Sequence, residues 1–114
     1  MIKSKPSNKE DPATVKLRNP ETDLLFEGIL TLRTVEECYR FFTDICTIKE
    51  LQAMTQRLQV AKQLHEGRNY NEVCRDTGAS SATICRVNKC LNYGDGGYRT
   101  VLERLKGETD EKNP

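Results

Sequence analysis

Gly78 divides the stretch Asn69–Asn92, NYNEVCRDTGASSATICRVNKCLN, into two short helical segments, and this division restricts the fold more than any other feature of the chain. Glycine reaches the left-handed conformation that other residues resist, so it ends one helix and turns the chain sharply into the next. Asn69 is placed to cap the first segment, with Glu72 three residues on, as a capping box requires. Val73 and Cys74 are expected to face inward on it. Ser80 or Ser81 can cap the second segment through a hydroxyl. There Ile84, Val87 and Leu91 fall at i, i+3 and i+7, one apolar stripe. Ser81, Ala82, Cys85 and Lys89 occupy one of the remaining sides, and Thr83, Arg86 and Cys90 another. A helix, a glycine turn and a second helix carrying small polar and basic residues form the helix-turn-helix pattern. An ordinary pair of packed helices is the competing reading, and the fixed offsets favour the DNA reader.

Length and composition set the frame for that motif. The chain of 114 residues suggests one domain, and its hydrophobic fraction of 36% allows a modest core. A formal net charge of +1 means that any basic surface must be local. The five cysteines lie at irregular spacings without a Cys-x-x-Cys pair, and His65 is the only histidine. That argues against zinc, and the odd count suggests reduced thiols and a cytoplasmic protein. No apolar run approaches a membrane span. One histidine on a helix face cannot build a nucleophilic triad, and the carboxylates stand at helix starts where capping accounts for them. The expectation is a binding module and not an enzyme.

Residues 1–18 are lysine-rich with few apolar side chains and are expected to form a flexible arm. Asn19 then suits an N-cap and Pro20 the first helical position. Leu24, Leu25, Ile29 and Leu32 follow at helical spacing, with Gly28 inside. Thr34 to Glu37 reads as a second capping box, opening a helix with Cys38, Phe41, Phe42 and Ile45. Thr47 to Glu50 reads as a third. It starts the longest helix, Ile48 to Glu66, closed by Gly67. Leu51, Met54, Leu58, Ala61 and His65 run along it at heptad-like spacing, a pattern suited to a central bundle helix or a dimer seam. Arg57 also lies on this helix. Beyond the motif, Gly94, Gly96 and Gly97 mark a loop, and Tyr98, Val101, Leu102 and Leu105 a last amphipathic helix. The resulting division is an arm over 1–18, a helical domain over 19–106 with the helix-turn-helix at 69–92, and a disordered tail over 107–114. No strand signal is present.

The stretch Thr47 to Leu91 resembles the Trp repressor superfamily, in its YerC/YecD branch of Trp-repressor-like proteins. The reading-helix pattern of that family corresponds here to Gly78, Ala79, Ala82, Thr83, Ile84, Arg86 and Leu91. Upstream, Thr47, Glu50, Ala53, Arg57, Leu64 and Gly67 also match it. The resemblance covers about the central 45 residues closely and the flanking helices by pattern. It implies a six-helix all-α fold and an interlocked homodimer whose two helix-turn-helix heads face successive major grooves of an operator. It also implies an effector site at Thr47, Arg57, Arg86 and Cys90. Two departures fall there: Val87 stands where the family has a glycine beside the ligand, and Cys90 where it has a serine. The loop after Gly67 is one residue shorter as well. These departures argue against tryptophan as the effector. Arg57 and Arg86 either hold a different small acid or are ordinary ion-paired arginines.

The reading of the whole chain is therefore a dimeric transcriptional regulator, acting as a repressor on double-stranded DNA and needing no cofactor. Ser81, Ala82, Cys85 and Lys89 would meet base edges or phosphates, and Arg75, Ser80 and Thr83 would fix the register on phosphate. The rival is a helical protein-interaction module that kept the fold without DNA binding. The basic, acid-free reading helix favours DNA.

Overall fold

The computed structural model describes residues 17–112. They form six α-helices: α1 (Pro20–Ile29), α2 (Val35–Ile45), α3 (Ile48–His65), α4 (Tyr70–Thr77), α5 (Ser81–Tyr93) and α6 (Gly97–Lys112). The all-α class is as expected, and no strand occurs among the described residues. Nearly all of the arm expected over 1–18 lies outside them, as do residues 113 and 114.

Local chemistry sets the helix starts. The Asn19 side chain accepts from the Thr22 amide at 2.7 Å, with Pro20 as the first helical residue. At α3 both halves of the capping box form: Glu50 N–H donates to Thr47 Oγ1 at 3.0 Å, and Thr47 N–H to Glu50 Oε1 at 2.8 Å. The box expected at α2 is displaced by one residue. Glu37 N–H donates to Thr34 Oγ1 at 3.0 Å, but the Glu37 carboxylate takes the Arg33 amide at 2.8 Å in place of Thr34's.

The chain separates into two compact units, dividing between Ile45 and Cys46, where a single helical domain is the expectation from sequence. Neither α1 nor α2 contains a buried residue. Helix α1 also stops at Ile29, capped at Leu30, so Leu32 lies beyond the helix that its spacing suggests. Thr31 Oγ1 and the Thr31 amide both donate to the Gly28 carbonyl, at 2.6 and 3.1 Å, which closes the helix end.

The core belongs to the second unit. Val60 and Ala61 of α3, Val73 of α4, Ala79 of the turn, Ile84, Val87 and Leu91 of α5 and Leu102 of α6 are buried together, with Leu64 and Tyr98 packed against them. Burying a Val or Ile side chain contributes about 1.5–3 kcal/mol, so this small aliphatic set carries most of the unit's stability. Of the heptad-like residues of α3, only Ala61 belongs to the core. Val60 and Leu64 point inward, whereas Ile48, Met54 and Leu58 are exposed. Two apolar stripes run along α3, and the single chain covers one of them.

Helix α6 continues to Lys112, past Gly107, where the sequence suggests a disordered tail from 107 onward. An interior glycine costs only about 1 kcal/mol, and no proline intervenes before Pro114. At the other end of the α5–α6 loop, Gly94 passes directly over the end of α5. A Cβ there would stand 2.5 Å from the Cys90 carbonyl oxygen, which is backbone and cannot swing aside. Gly94→Ala is therefore expected to destabilise the protein by about 1–3 kcal/mol, as overpacking does, measured as a lowered urea midpoint at unchanged m-value.

Candidate nucleic-acid interface

The two helices of the motif are held by a dense local network. Both halves of the α4 capping box form: Glu72 N–H donates to Asn69 Oδ1 at 2.9 Å, and Asn69 N–H to Glu72 Oε1 at 3.1 Å. The Asn69 amide, and after it the Arg68 guanidinium, lower the Glu72 carboxyl pKa from its ordinary value. A depressed carboxylate pKa stabilises the fold fully above the ordinary carboxylate range, and the contribution is lost as pH falls through the lowered value. The cap is thus intact at neutral pH. Gly78 closes α4 in the left-handed conformation at φ 73°, and its amide donates to the Cys74 carbonyl at 2.9 Å. Thr77 fastens the turn itself: its hydroxyl donates to the Val73 carbonyl at 2.7 Å and accepts from the Ala79 amide at 3.2 Å. From α3, Gln56 Nε2 donates to the Thr77 carbonyl at 3.3 Å.

Helix α5 is capped by Ser80, whose Oγ accepts from the Thr83 amide and donates to Thr83 Oγ1, both at 3.1 Å. The Ser80 hydroxyl proton is thereby engaged, so of this pair Thr83 keeps the donor that a phosphate could use. Ile84, Val87 and Leu91 are buried, and this fixes the rotation of the helix. Ser81, Ala82, Cys85 and Lys89 are exposed, as their phase requires. Arg86 is exposed too. It follows Ala82 by four residues and precedes Lys89 by three, so it lies on the same side of the helix as they do. Cys90 is exposed on α5 and Cys74 on α4. Only Val73 of the expected inward pair is in the core, because one turn of an eight-residue helix leaves room for one inward residue there.

The charges divide cleanly between the two helices. At α4, Arg68 just ahead of the helix bridges Glu72 at 3.3 Å and Asp76 at 2.6 Å, and Arg75 bridges Asp76 at 3.3 Å. Arg75 is thus tied to its neighbour, though its side chain is 69% exposed. Helix α5 contains no carboxylate. Among the described residues, Arg86 and Lys89 form no ion pair, and neither does Arg57. Residues 68–93 hold four cations against two carboxylates, so the excess lies on the outward side of α5.

The four residues matched to an effector site lie on α3 and α5 and at the start of α3. The Thr47 hydroxyl caps α3, and the Cys90 carbonyl accepts from Gly94. Arg57 is half-buried and Arg86 exposed. The reading of these arginines as ion-paired surface residues is not what the structure has. Val87 is 1% exposed and belongs to the core. Val60 and Ala79 as core residues, Gln56 as the tie between α3 and the turn, and Arg99 of α6 as the partner of α5's last turn are not among the residues that the sequence pattern singles out. Helical phase with Leu64 was the available signal for Val60; the other three depend on tertiary placement.

Six helices and an exposed, acid-free second helix of a helix-turn-helix define an all-α protein of the DNA-reading type. The chain belongs to the Trp repressor protein family, whose model matches residues 20–106. It is 53% identical over 98 residues to the uncharacterized protein YerC of Bacillus subtilis (strain 168), an alignment that covers 86% of this chain and 93% of YerC. A solved structure of a TrpR-like protein from Eubacterium eligens ATCC 27750 superposes with a TM-score of 0.78 at 49% identity, covering 81% of this chain and 95% of that one. A candidate Trp repressor from Staphylococcus aureus does so with a TM-score of 0.79 at 46% identity, covering 82% and 93%. The family is one of DNA-binding regulators. No described helix is long and apolar enough to cross a membrane.

Proposed function

We propose that the protein is a sequence-specific transcriptional repressor that binds operator DNA as a homodimer, with α5 entering the major groove. The observation that carries this reading is the outward side of α5: Ala82, Cys85, Arg86 and Lys89 are exposed together, and no acid lies on the helix. Small residues near the N-terminus of a reading helix let it approach base edges, and unpaired cations further along meet phosphate. Arg86 joins Lys89 in that second role. Thr83 and Arg75 flank them as phosphate contacts, Arg75 after exchanging Asp76 for phosphate. Ser81 stands at the entry to the groove.

Support for the dimer comes from apolar surface that the single chain leaves uncovered. Ile48, Met54 and Leu58 on α3, Val101 and Leu105 on α6, and Leu24, Phe26 and Leu30 at α1 are all exposed. A second copy would bury them, and a chain of this size gains much of its burial that way. Sedimentation at micromolar concentration is expected to give a species of twice the chain mass. A monomer persisting to high concentration would count against the dimer.

The test of DNA binding is titration of a labelled duplex at several salt concentrations. Affinity should fall steeply as salt rises, because neutralising phosphates releases counterions. Lys89→Ala is expected to weaken binding to all sequences alike and to reduce the magnitude of the salt slope by about one. An unchanged slope would remove Lys89 from the interface. Salt-insensitive or absent binding by the unsubstituted protein would favour a module that kept the fold without DNA.

A further inference from the structure

We infer that Arg99 on α6 is a positioning residue for DNA reading, holding the far end of α5 so that its outward residues meet the groove in register. This rests on the function proposed above. Arg99 Nε donates to the Leu91 carbonyl at 2.9 Å, and its Nη2 to Asn92 Oδ1 at 3.2 Å. The Asn92 amide in turn donates to the Asn88 carbonyl at 3.0 Å and to Asn88 Oδ1 at 3.1 Å.

The last carbonyls of a helix lack partners within it and take whatever donors the surroundings offer. At α5 the Gly94 amide takes the Cys90 carbonyl, and the Arg99 guanidinium takes the next one. Gly94 permits this close pass, and the arginine reaches back from the first turn of the following helix. A cation is also the favourable charge at a helix C-terminus. Both ends of the bond are anchored, since Leu91 is buried in the core and α6 is seated by Leu102 and Tyr98. The clamp therefore fixes one helix to another and does more than order a side chain.

The clamped turn includes Asn88, Leu91 and Asn92, and Lys89 lies within it. The other end of α5 is held independently, by the Ser80 cap and by Gln56 through the Thr77 carbonyl. A helix of 13 residues is about 20 Å long, so without the clamp a swing of about 3° about its capped end moves the Lys89 end by about 1 Å and re-aims the whole helix, Ser81, Ala82 and Cys85 included, against the groove. Displacement on that scale spoils directed hydrogen bonds to base edges, whereas contacts to phosphate adjust to it. Loss of the clamp should accordingly reduce sequence discrimination and leave general attraction to DNA in place.

Arg99→Met retains an apolar stem of similar length and removes the donors. Binding is to be measured well below each protein's unfolding midpoint, on a duplex enriched from a random pool by the unsubstituted protein and on a scrambled duplex of equal length. The expected result is a loss of about tenfold on the enriched duplex, the size of one spoiled base-pair contact, with unchanged affinity for the scrambled one. Arg99→Lys should recover part of the loss, because one ammonium can still reach the Leu91 carbonyl. Asn92→Ala, at an exposed position, should shift discrimination in the same direction by a smaller factor and offers a well-folded second variant. Equal weakening on both duplexes, or a lowered melting temperature with discrimination intact, overturns the inference and leaves Arg99 an ordinary stabilising residue. Failure of the unsubstituted protein to bind any duplex overturns the proposed function and this inference together.

Discussion

Ala82→Phe is expected to abolish discrimination between operator and other DNA while the protein stays folded. Ala82 is exposed one residue into α5, on the side opposite Ile84, Val87 and Leu91. Surface substitutions of this kind change stability by no more than about 0.5 kcal/mol, so folding and binding separate at this site. A reading helix approaches base edges closely only where its leading side chains are small, and a phenyl ring there holds the helix away from the groove floor. Specific binding exceeds non-specific binding by about a thousandfold or more, and that margin is what the substitution should remove. Residual affinity should equal that for random DNA and keep its salt dependence, since Arg86 and Lys89 are untouched. Competition titration against scrambled duplex reads the first effect, and urea unfolding confirms the second. Retained preference in a folded Ala82→Phe protein would mean that α5 does not face the bases.

The second large effect concerns L-tryptophan. Val87 is 1% exposed and sits among Val60, Ile84 and Leu91, where the resembling repressor has a glycine beside its ligand. Its isopropyl group is expected to occupy volume that an indole ring would need. The head is also ordered by its own bonds: Gln56 to the Thr77 carbonyl, Thr77 to Val73 and Ala79, and both capping contacts. Binding to DNA without an effector is therefore the expected behaviour, and calorimetry with L-tryptophan should show no saturable heat. Val87→Gly should cost about 2.5–4 kcal/mol, from the lost burial together with the helix propensity of glycine. In a unit with so few fully buried side chains, that is a large share of the total. Saturable micromolar binding of tryptophan to the unsubstituted protein, with tighter operator binding in its presence, would contradict this account. Arg57 and Arg86 carry no ion pair among the described residues, and Arg86 is exposed on the side of α5 proposed to face DNA, so phosphate is its expected partner.

The helix starts and the inward stripe of α5 were legible in the sequence because both are written locally. A capping residue and its carboxylate lie three residues apart, and a left-handed turn needs its glycine within the same few residues. Val73, Ile84, Val87 and Leu91 follow from periodicity alone. The stripe choice on α3 was not legible. Leu51, Met54 and Leu58 are as apolar as Val60 and Leu64, and only the packing of α4, α5 and α6 decides which set is inside the chain. The exposure of Arg86 was likewise not legible, since it depends on which side of α5 the packing turns inward. Arg99 was illegible for a different reason: its bonds go to backbone carbonyls, which no sequence pattern records. The capping box at α2 slipped by a single residue, because the Arg33 and Thr34 amides compete for one carboxylate and the loop geometry decides between them.

The central claim is that α5 reads DNA from two related heads, and selection of duplexes from a random pool by the unsubstituted protein tests it most directly. The account predicts enrichment of a two-fold symmetric site, with half-sites about one helical turn apart, centre to centre, or a multiple of that. The enrichment should disappear when the same selection is run with Ala82→Phe. A pool that leaves the selection with no sequence enriched over the input would contradict it.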